Sequence, residues 1–269
     1  MNSRVICFSP TRTSFRVAGA IAEGLGGESV TTDLTLHTPD PIRIESSETA
    51  VFAFPVYGGH LPGIAVERLA AIEGNGSPAV VVAVYGNRAY DSALDELAGI
   101  VRKQGFRVIA AATFIGEHSY SDSRYPIAAG RPDAEDLAAA VGFGREIAAK
   151  LGRNDMTEVD TSAIRKPGQP LFPLIRFIFG VLSLRSGKRP SPKAPTTDPE
   201  LCTHCGACAA NCPVGAIKPG DELNTNASRC IRCCACVKRC PRKARSFDTP
   251  FARLLSENFK TAKKPQTLL

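Results

Sequence analysis

The first half of the chain alternates short apolar runs with stretches in which apolar residues recur every three or four positions. The apolar runs have the length of strands and lie at residues 5–8, 29–34, 50–55, 79–85 and 108–115. Helical spacing between them is found at Val17, Ile21 and Leu25, at Ile64, Leu69 and Ile72, at Leu94, Leu97 and Val101, and at Leu137, Val141, Ala148 and Leu151. Because buried parallel strands are continuously apolar and are connected by helices, this pattern predicts a doubly wound α/β domain with a five-stranded parallel sheet.

Glycine and proline mark the ends of the predicted helices. Helix C-termini are indicated by Gly24, Gly74, Gly105 and Gly152, and Pro132-Asp133 indicates the start of the last helix. We therefore place the first domain at residues 1–152. A Pro-rich linker is predicted at 153–197, followed by a small α+β domain at 198–249 and a loosely held basic tail at 250–269.

The linker contains one apolar segment that predicts a helix near residues 174–184. Its exceptions, Arg176, Gly180 and Ser183, fall on one narrow stripe. The favoured interpretation is a helix wedged between the two domains; the alternative is a contact with a membrane surface through residues 174–189. Three basic residues would assist that contact: Arg185, Lys188 and Arg189. The apolar run at 171–184 is shorter than the roughly 20 residues of a spanning helix, so no transmembrane segment is expected.

Nine of the ten cysteines lie between Cys202 and Cys240, and only Cys7 precedes them. The N-terminal residues have no signal-peptide pattern, so we expect a cytoplasmic protein. Clustered thiols in such a chain indicate metal or redox chemistry and not a disulfide framework. Cys7 lies in the first predicted strand and is expected in the core.

Residues 202–241 contain two copies of one cysteine motif. Each copy has the spacing Cys-x2-Cys-x2-Cys-x3-Cys-Pro, the first at Cys202, Cys205, Cys208 and Cys212 and the second at Cys230, Cys233, Cys236 and Cys240. With this spacing, three thiolates bind one iron–sulfur cube and the fourth binds the other. Zinc is the alternative, but zinc sites do not usually have a third and a fourth thiol followed by proline, twice in one stretch.

This duplication resembles the bacterial two-cluster ferredoxins. The resemblance implies two 4Fe-4S clusters, one held by Cys202, Cys205, Cys208 and Cys240 and the other by Cys212, Cys230, Cys233 and Cys236. Gly206 is expected to leave room for the loop around the first cluster. The ninth thiol, Cys234, is interpreted as a small buried residue that packs against the second cluster.

The two halves of the chain differ in charge. The net charge is −4 over residues 1–151 and +11 over residues 152–269. Two oxidised clusters with their thiolates add about −4, which leaves the second half at about +7. Because no nucleic-acid motif accompanies the basic residues, we expect them to guide an acidic redox-protein partner, and we expect no nucleic-acid binding.

A loop rich in hydroxyl groups connects the first predicted strand to the first helix. Four hydroxyl residues lie within six positions: Ser9, Thr11, Thr13 and Ser14. Hydroxyl and N–H groups at a helix N-terminus attract anions, and this set could surround a monophosphate. The loop lacks both the G-x-G-x-x-G pattern and the lysine of a nucleoside triphosphate loop. A capping loop is the alternative, but it explains one or two hydroxyl groups better than four.

The same loop resembles the phosphate loop of the flavodoxin-like family, which has Ser or Thr, any residue, Thr, Gly, any residue and Thr. Ser9, Thr11 and Ser14 match this pattern, and Arg12 replaces the glycine. The resemblance implies that the loop binds FMN at the carboxyl ends of the parallel strands. Arginine lacks the backbone freedom of glycine, but its guanidinium group could contact the phosphate.

Two further loops follow the strands that flank the ligand-binding edge of such a sheet. The residues expected to contact the flavin are Pro55, Val56, Tyr57 and Gly58 in the first loop and Tyr85, Gly86, Asn87, Arg88 and Tyr90 in the second. Aromatic residues beside glycine offer a ring face and bare N–H groups to a planar ligand. Tyr57 is the first choice for stacking, with Tyr85 and Tyr90 behind it. If the site is catalytic, the candidates that supply a proton are His60, Glu117 and His118.

Residues 4–151 and 198–248 together resemble the ferredoxin-type flavoproteins, in which a flavodoxin-like domain precedes a two-cluster ferredoxin domain. The resemblance implies an electron-transfer protein that relays single electrons between two 4Fe-4S clusters and FMN, and exchanges them with redox proteins. One alternative is an FMN-dependent reductase of a small molecule that is fed by its clusters. A second alternative is a flavin-free ferredoxin whose first domain serves for docking.

Overall fold

A computed structural model describes residues 2–186 and 192–269, so Lys188 and Arg189 lie outside the described residues. The chain divides into two compact units. The first unit comprises Met1–Glu117, Gly130–Pro167 and Lys263–Leu269, and the second comprises His118–Ala129 and Gly168–Ala262.

The first unit is built on a mostly parallel sheet. Its strands are β1 (Ser3–Cys7), β2 (Ser29–Asp33), β3 (Ile42–Ile44), β4 (Thr49–Pro55), β5 (Ile72–Gly74), β6 (Pro78–Tyr85), β7 (Arg107–Ile115) and β10 (Gln266–Leu268). Its helices are α1 (Thr13–Leu25), α2 (Gly63–Leu69), α3 (Ala93–Lys103) and α4 (Ala134–Gly152), with a 3-10 turn at Thr161–Ala163. The five parallel strands lie in the order β2-β1-β4-β6-β7. This is the 2-1-3-4-5 order of flavodoxin-like folds, so the predicted five-stranded parallel sheet is confirmed.

Helices bury the central strands of this sheet. Every residue of β4 and β6 is buried, because α1 and α4 pack on one face and α3 lies against β6 and β7. Cys7 is fully buried in the cluster beneath α1 and α4, as predicted for a core residue. Its burial raises the pKa of the thiol to about 12, so this thiol is protonated at neutral pH.

Two glycines let α1 and α4 approach backbone to backbone. A Cβ atom on Gly24 would lie 2.1 Å from the carbonyl oxygen of Val141, and one on Gly144 would lie 2.2 Å from the carbonyl oxygen of Ile21. The sequence predicted Gly24 only as a mark of the helix end. In the structure it lies in the last turn of α1, which ends at Leu25, and it is required for packing.

A small second sheet was not predicted. β3 and β5 pair in parallel, with Ile42 opposite Ile72 and Ile44 opposite Gly74. The prediction that Ile72 is helical and that Gly74 ends the helix is therefore wrong, since α2 ends at Leu69. Gly74 lies under the ring of Phe106, where a Cβ atom would be 2.7 Å from the nearest ring carbon. The prediction failed because the apolar residues of a short helix and of the three-residue strand after it have the spacing expected of one longer helix.

The second unit contains short elements around the cysteine motifs. Its helices are α5 (Leu171–Arg185), α6 (Ala207–Ala210), α7 (Ala235–Lys238) and α8 (Pro250–Asn258), and β8 (Thr196–Thr197) pairs antiparallel with β9 (Arg245–Ser246). The helix predicted near residues 174–184 is present and begins three residues earlier. It packs against α8 within this unit.

The segment His118–Ala129 belongs to the second unit, although its position in the chain placed it in the predicted first domain. Lys238 Nζ donates to the carbonyl oxygen of Ser121 at 2.7 Å. Arg124 donates to Asp248 at 2.8 Å. The Tyr120 ring packs edge-on against Phe247. These contacts join residues more than a hundred positions apart, which local sequence patterns do not predict.

The predicted loose tail at 250–269 is ordered, so that prediction is wrong. Thr249 caps α8 by accepting from the N–H of Phe251, and Pro250 occupies the first turn. Further on, β10 pairs antiparallel with β7, with Gln266 opposite Thr113. The three residues of β10, Gln-Thr-Leu, form no apolar run that could have predicted a strand.

Among the described residues, no helix combines the length and the apolar character that crossing a membrane would require.

The close contact of α1 and α4 predicts that Gly24→Ala lowers the free energy of unfolding by about 1–3 kcal/mol, because the added methyl group overpacks a backbone contact. Gly19, in the same helix, is the matched control, since a Cβ atom there meets nothing within 4 Å. Gly19→Ala is expected to stabilise by about 0.5–1 kcal/mol. Urea unfolding of the full chain, followed by circular dichroism, measures both. Equal midpoints for the two variants would contradict the packing role of Gly24.

Candidate functional site

The first cysteine cavity has a volume of about 320 Å³. Four thiols line it, and they come from both motifs: Cys202, Cys205, Cys208 and Cys240. Cys240 belongs to the second motif, so the chain brings its fourth cysteine across to the first three.

The second cavity is also lined by thiols from both motifs, but here most of them come from the second motif. Its volume is about 310 Å³, and five thiols line it: Cys212, Cys230, Cys233, Cys234 and Cys236. The structure thus brings together the members of each set of four that the resemblance implies, with Cys234 in addition at the second cavity. In a zinc site, by contrast, the sulfur atoms lie about 2.3 Å from one ion. Within residues 2–186 and 192–269, no three His, Cys, Asp or Glu side chains are placed to hold a single ion.

Left-handed backbone conformations occur at equivalent positions of the two motifs. They are found at His204 and Arg232, at Gly206 and Cys234, and at Gly215 and Lys243. Each lets the chain turn sharply around a cavity, a conformation that costs most residues energy. The turns also aim N–H groups at sulfur: Ala216 donates to Cys212 Sγ and Ala244 to Cys240 Sγ, both at 3.2 Å.

Cys234 occupies the position of Gly206 in the second motif. It is buried and lines the second cavity, as expected for a small residue beside a cluster. Its Sγ lies 3.6 Å from the carbonyl oxygen of Arg232. Burial raises the pKa of this thiol well above its ordinary value, so the structure gives Cys234 the character of a neutral packing residue.

Burial also raises the pKa of the thiols that would bind a cluster. The pKa rises to about 12 for Cys233 and to about 11 for Cys236. Such thiols are protonated at neutral pH when no metal is present. Binding iron must therefore release their protons, which couples cluster assembly to pH.

A buried arginine lies between the two cavities, and the sequence analysis did not identify it. Arg245 is 3% exposed and lines the first cavity. Its guanidinium group donates to the carbonyl oxygens of Glu222 at 2.8 Å and Pro195 at 3.4 Å, and to Thr225 Oγ1. Pro195 and Thr225 line the second cavity.

The internal repeat contains a signal for this residue. Ala216-Ile217 follows the first motif at the same offset as Ala244-Arg245 follows the second, so arginine replaces a buried isoleucine. Its charge opposes the increase in pKa that burial causes at Cys208 and Cys236. One cation therefore favours thiolate in both cavities.

The hydroxyl residues of the loop between β1 and α1 differ in whether their side chains already have hydrogen-bond partners. The N–H of Ser9 donates to Thr35 Oγ1 at 2.8 Å, and Ser9 Oγ accepts from the N–H of Phe15 at 3.1 Å. The capping interpretation thus accounts for Ser9. By contrast, Ser14 Oγ is buried and has no hydrogen-bond partner among the described residues.

The N-terminus of α1 presents further donors beside Ser14. The N–H groups of Thr13 and Ser14 lie in the first turn, where a helix offers no acceptor, and this turn contains no acidic residue. An anion would be stabilised there by the N–H groups and by the helix dipole. The orphaned Ser14 hydroxyl and these N–H groups fit a phosphate group.

Arg12 behaves differently from the prediction. It adopts the left-handed conformation, with φ 68°, so arginine does reproduce the glycine conformation at this position. Its guanidinium group pairs with Asp33 at 3.4 Å and stacks over the ring of Phe15 at 3.6 Å. The structure thus directs it to these partners, and the role of a phosphate ligand is not supported.

The two loops expected to hold the flavin ring meet at the carboxyl edge of the sheet. The N–H of Ser92 donates to the carbonyl oxygen of Gly59 at 3.1 Å, and the N–H of Leu61 donates to Glu96 at 3.0 Å. Gly58 and Gly59 have positive φ values, and Gly59 packs so closely on Asp91 that a Cβ atom would lie 2.8 Å from its carboxylate.

Tyr57 is half-buried in the first of these loops, where it pairs with His60 through two backbone hydrogen bonds. Before this turn, Pro55 ends β4. The N–H of Val56 then donates to the carbonyl oxygen of Val84 at 3.1 Å. The position of Tyr57 remains compatible with stacking.

Tyr85 and Tyr90 do not suit the predicted stacking role. Both are buried, and their rings pack against each other edge to face at 5.6 Å. The Tyr90 hydroxyl donates to the carbonyl oxygen of Ile164 at 3.2 Å. These rings are core residues because the last position of β6 and the loop after it turn inward.

The remaining residues of the second loop also form contacts within the first unit. After Gly86, Asn87 is fully buried and its Oδ1 accepts from the N–H of Lys263 at 2.9 Å. Arg88 forms an ion pair with Asp91. The C-terminal segment that ends in β10 therefore lies over this loop.

The three candidate proton donors make separate local contacts. His60 Nδ1 lies 3.5 Å from Glu96 and is mostly exposed. Glu117 accepts from the N–H of Gly130 at 3.1 Å. His118 belongs to the second unit, where its Nδ1 accepts from the N–H of Tyr120 at 3.0 Å.

Comparison with family models gives one match, in the second unit. Residues 195–218 match the model described as a 4Fe-4S binding domain, and this span includes the whole first cysteine motif. Comparison with curated proteins gives no match.

Solved structures similar to this chain include two flavodoxins and a flavodiiron protein. A flavodoxin from the domain Archaea shares 14% identity with a TM-score of 0.39, covering 56% of this chain and 99% of that chain. Oxidised flavodoxin 2 from Bacillus cereus shares 14% with a TM-score of 0.41, covering 56% and 99%. A flavodiiron core from Synechocystis sp. shares 16% with a TM-score of 0.40, covering 57% of this chain and 36% of that chain.

Because these TM-scores are low, the fold assignment depends on the strand order of the sheet. That order and the family match together define the class of protein. The chain joins a flavodoxin-like α/β unit to a ferredoxin-type 4Fe-4S binding domain.

The crossed arrangement of the cysteines predicts which pairs of substitutions destroy one site and which destroy both. Cys202→Ser with Cys240→Ser removes two thiols from one cavity, so about four irons per chain should remain. Cys202→Ser with Cys212→Ser damages both cavities and should leave almost none. Iron and sulfide analysis of anaerobically purified protein measures this. Similar iron contents in the two double variants would contradict the crossed arrangement, and Cys234→Ser is the control expected to keep the full content.

Proposed function

We propose that this protein is an electron-transfer iron–sulfur flavoprotein. In this proposal, two 4Fe-4S clusters in the second unit exchange single electrons with an FMN in the first unit and with redox-protein partners. The observation that carries the proposal is the pair of cavities, one lined by four thiols and the other by five. The same chain supplies a flavodoxin-like sheet with a hydroxyl-rich loop at its carboxyl edge.

The chain provides the environment that iron–sulfur clusters require. Three of the eight thiols, Cys208, Cys233 and Cys236, are buried. Backbone N–H groups donate to Cys212 and Cys240. Hydrogen bonds to sulfur and buried charge set the potential of a cluster. Arg245 supplies such a charge beside both cavities.

The first unit supports FMN in a more limited way. The groups that would hold its phosphate are the hydroxyls of Thr11, Thr13 and Ser14 and the N–H groups of the first turn of α1. Ser9 would hold the loop in shape. Tyr57 is the remaining candidate to stack on the ring, because Tyr85 and Tyr90 are buried in the core.

When bound, FMN exchanges two electrons and each cluster exchanges one, so together they can connect two-electron and one-electron carriers. The partner we propose is an acidic redox protein, because the second half of the chain keeps a positive charge even with both clusters present. We propose the cytoplasm as its location, where such clusters are protected from oxidation.

Cofactor analysis tests the proposal. Protein purified without oxygen should release about one FMN, eight irons and eight sulfides per chain. Iron without flavin, even after incubation with FMN, would overturn the flavin part of the proposal. About four irons would overturn the two-cluster part.

The orphaned hydroxyl of Ser14 leads to a second prediction. Ser14→Ala should weaken FMN binding about ten- to hundredfold, since a hydrogen bond to a charged group contributes about 1.5–3 kcal/mol. Riboflavin, which has no phosphate, should bind both proteins equally. Ser3→Ala is the matched control, because Ser3 Oγ is also buried without a partner but lies at the opposite, amino end of β1.

Quenching of flavin fluorescence on titration gives each dissociation constant. If Ser14→Ala weakens riboflavin and FMN binding equally, the role of Ser14 as a phosphate ligand is refuted.

The buried guanidinium group of Arg245 leads to a third prediction. Removing this cation with Arg245→Met should lower the midpoint potentials of both clusters, because reduction adds negative charge beside it. A tenfold loss in the reduction equilibrium corresponds to about 59 mV for one electron, and we expect at least that. Arg245→Lys should restore most of the potential.

Arg242→Met is the control, since Arg242 also lines the first cavity but is exposed to water, which screens its charge. Redox titration followed by EPR gives the potentials, and iron analysis of each variant shows that both clusters are present. A fully loaded Arg245→Met variant with unchanged potentials would contradict the prediction.

A further inference from the structure

Helix α5 turns its most apolar face to solvent. Six of its large side chains are exposed, and the two phenylalanines among them are 83% and 68% exposed: Leu171, Phe172, Ile175, Ile178, Phe179 and Leu182. Their spacing puts them on one side of the helix. They make up more than half of the exposed large apolar side chains among the described residues. Soluble proteins rarely expose such a contiguous apolar patch unless something binds it.

The opposite side of α5 packs against α8 and includes Arg176 and Gly180. Arg176 donates to Asn258 Oδ1 at 2.7 Å and to the carbonyl oxygen of Glu257 at 3.2 Å. Gly180 faces Leu254 so closely that a Cβ atom would lie 2.6 Å from its methyl carbon. Two residues of the narrow stripe noted in the sequence, Arg176 and Gly180, therefore contact α8, whereas Ser183 is exposed.

Apolar contacts on this inner side fix the orientation of the helix. Leu174 and Phe177 pack against Ile127, Leu255 and Phe259, and the rings of Phe177 and Phe259 meet edge to face at 5.2 Å. Rotating α5 to hide its outer face would break these contacts and the hydrogen bonds of Arg176 to Asn258 and Glu257. The outer face is thus held toward solvent by the packing of its own unit.

The charge of the surrounding chain indicates what the outer face binds. Residues 161–197 contain seven Lys and Arg residues and no Asp or Glu. Two of these cations, Arg165 and Lys166, precede α5, and the last four follow residue 184. An apolar helical face flanked by cations on both sides complements a surface that is negatively charged outside and apolar beneath. This is the charge and polarity profile of an anionic lipid bilayer.

We propose that the exposed face of α5 attaches the protein to the surface of an anionic lipid bilayer. The helix would lie in the plane of the interface, with Phe172 and Phe179 inserted among the lipid chains. The positive charge of residues 161–197 would attract the anionic headgroups. This attachment is independent of the clusters and of FMN.

The test uses the absence of tryptophan from this protein. In the full chain with its cofactors, Phe179→Trp places a single reporter on the face. Vesicles of equal parts phosphatidylglycerol and phosphatidylcholine should shift its emission to the blue, and pure phosphatidylcholine vesicles should give a much smaller shift. Leu223→Trp, an exposed position outside α5, is the matched control and should not respond.

Flotation with the same vesicles measures the affinity without a reporter. The double variant Phe172→Ser and Phe179→Ser should bind at least tenfold more weakly than the wild type. The matched variant Leu201→Ser and Leu223→Ser loses two exposed apolar side chains elsewhere and should bind normally. Raising the salt concentration should weaken binding of the wild type.

Three outcomes would overturn the proposal. One is no flotation of the wild type with anionic vesicles. Another is a Phe179→Trp emission that is already blue-shifted in a vesicle-free monomer, which would mean that another part of the protein covers the face. The third is a dimer in native mass spectrometry that dissociates in the double serine variant, which would identify a second copy as the occupant.

Discussion

Each cysteine cavity of the second unit depends on a thiol from the other half of the duplication. Cys240 completes the first cavity and Cys212 completes the second. Neither motif can therefore form its site alone, and the two halves must fold around each other. The left-handed turns at equivalent positions make this exchange possible, because they let each short loop close around a cavity of about 300 Å³. The α6 and α7 helices, the β8–β9 pair and the buried arginine are all arranged around this constraint.

The duplication repeats its four-cysteine motif but not its charges. Arg245 occupies the position that Ile217 has after the first motif, and it is held between the cavities by Glu222, Pro195 and Thr225. A buried cation with these partners cannot move away from the sites. Its field therefore acts on both cavities at once, and it favours any step that adds negative charge to either of them. This links the internal repeat to the electron-transfer function that we propose.

The sequence predicted the features that depend on residues close together in the chain. The five parallel strands followed from unbroken apolar runs, and the two groups of four cysteines are those that the resemblance to two-cluster ferredoxins implies. Features that depend on distant contacts were not predictable in this way. The pairing of β10 with β7, the membership of His118–Ala129 in the second unit and the engagement of Asn87 by Lys263 all join residues far apart in the chain. Periodicity also could not show which side of α5 would face α8.

Individual loop residues were the least predictable part of the candidate flavin site. Tyr85 and Tyr90 lie beside glycine, as a ring-binding tyrosine would, yet both turn into the core. Arg12 was expected to resist the glycine conformation, yet it adopts it and pairs with Asp33. A local motif specifies which groups are available, but packing decides where each side chain points. Ser14 shows the converse, since its hydroxyl was one of four equal candidates and the structure singles it out as the one buried without a partner.

We propose that electrons pass between the two clusters and the flavin within this chain. Stopped-flow mixing of the oxidised holoprotein with a one-electron carrier protein, in the absence of oxygen, tests it directly. The comparison is with a flavin-loaded Cys202→Ser/Cys212→Ser variant, which damages both cavities and leaves the first unit intact. We expect cluster absorbance to bleach before flavin absorbance in the wild type. We also expect flavin reduction to be at least tenfold slower in the variant. Equal rates of flavin reduction in the two proteins would contradict it.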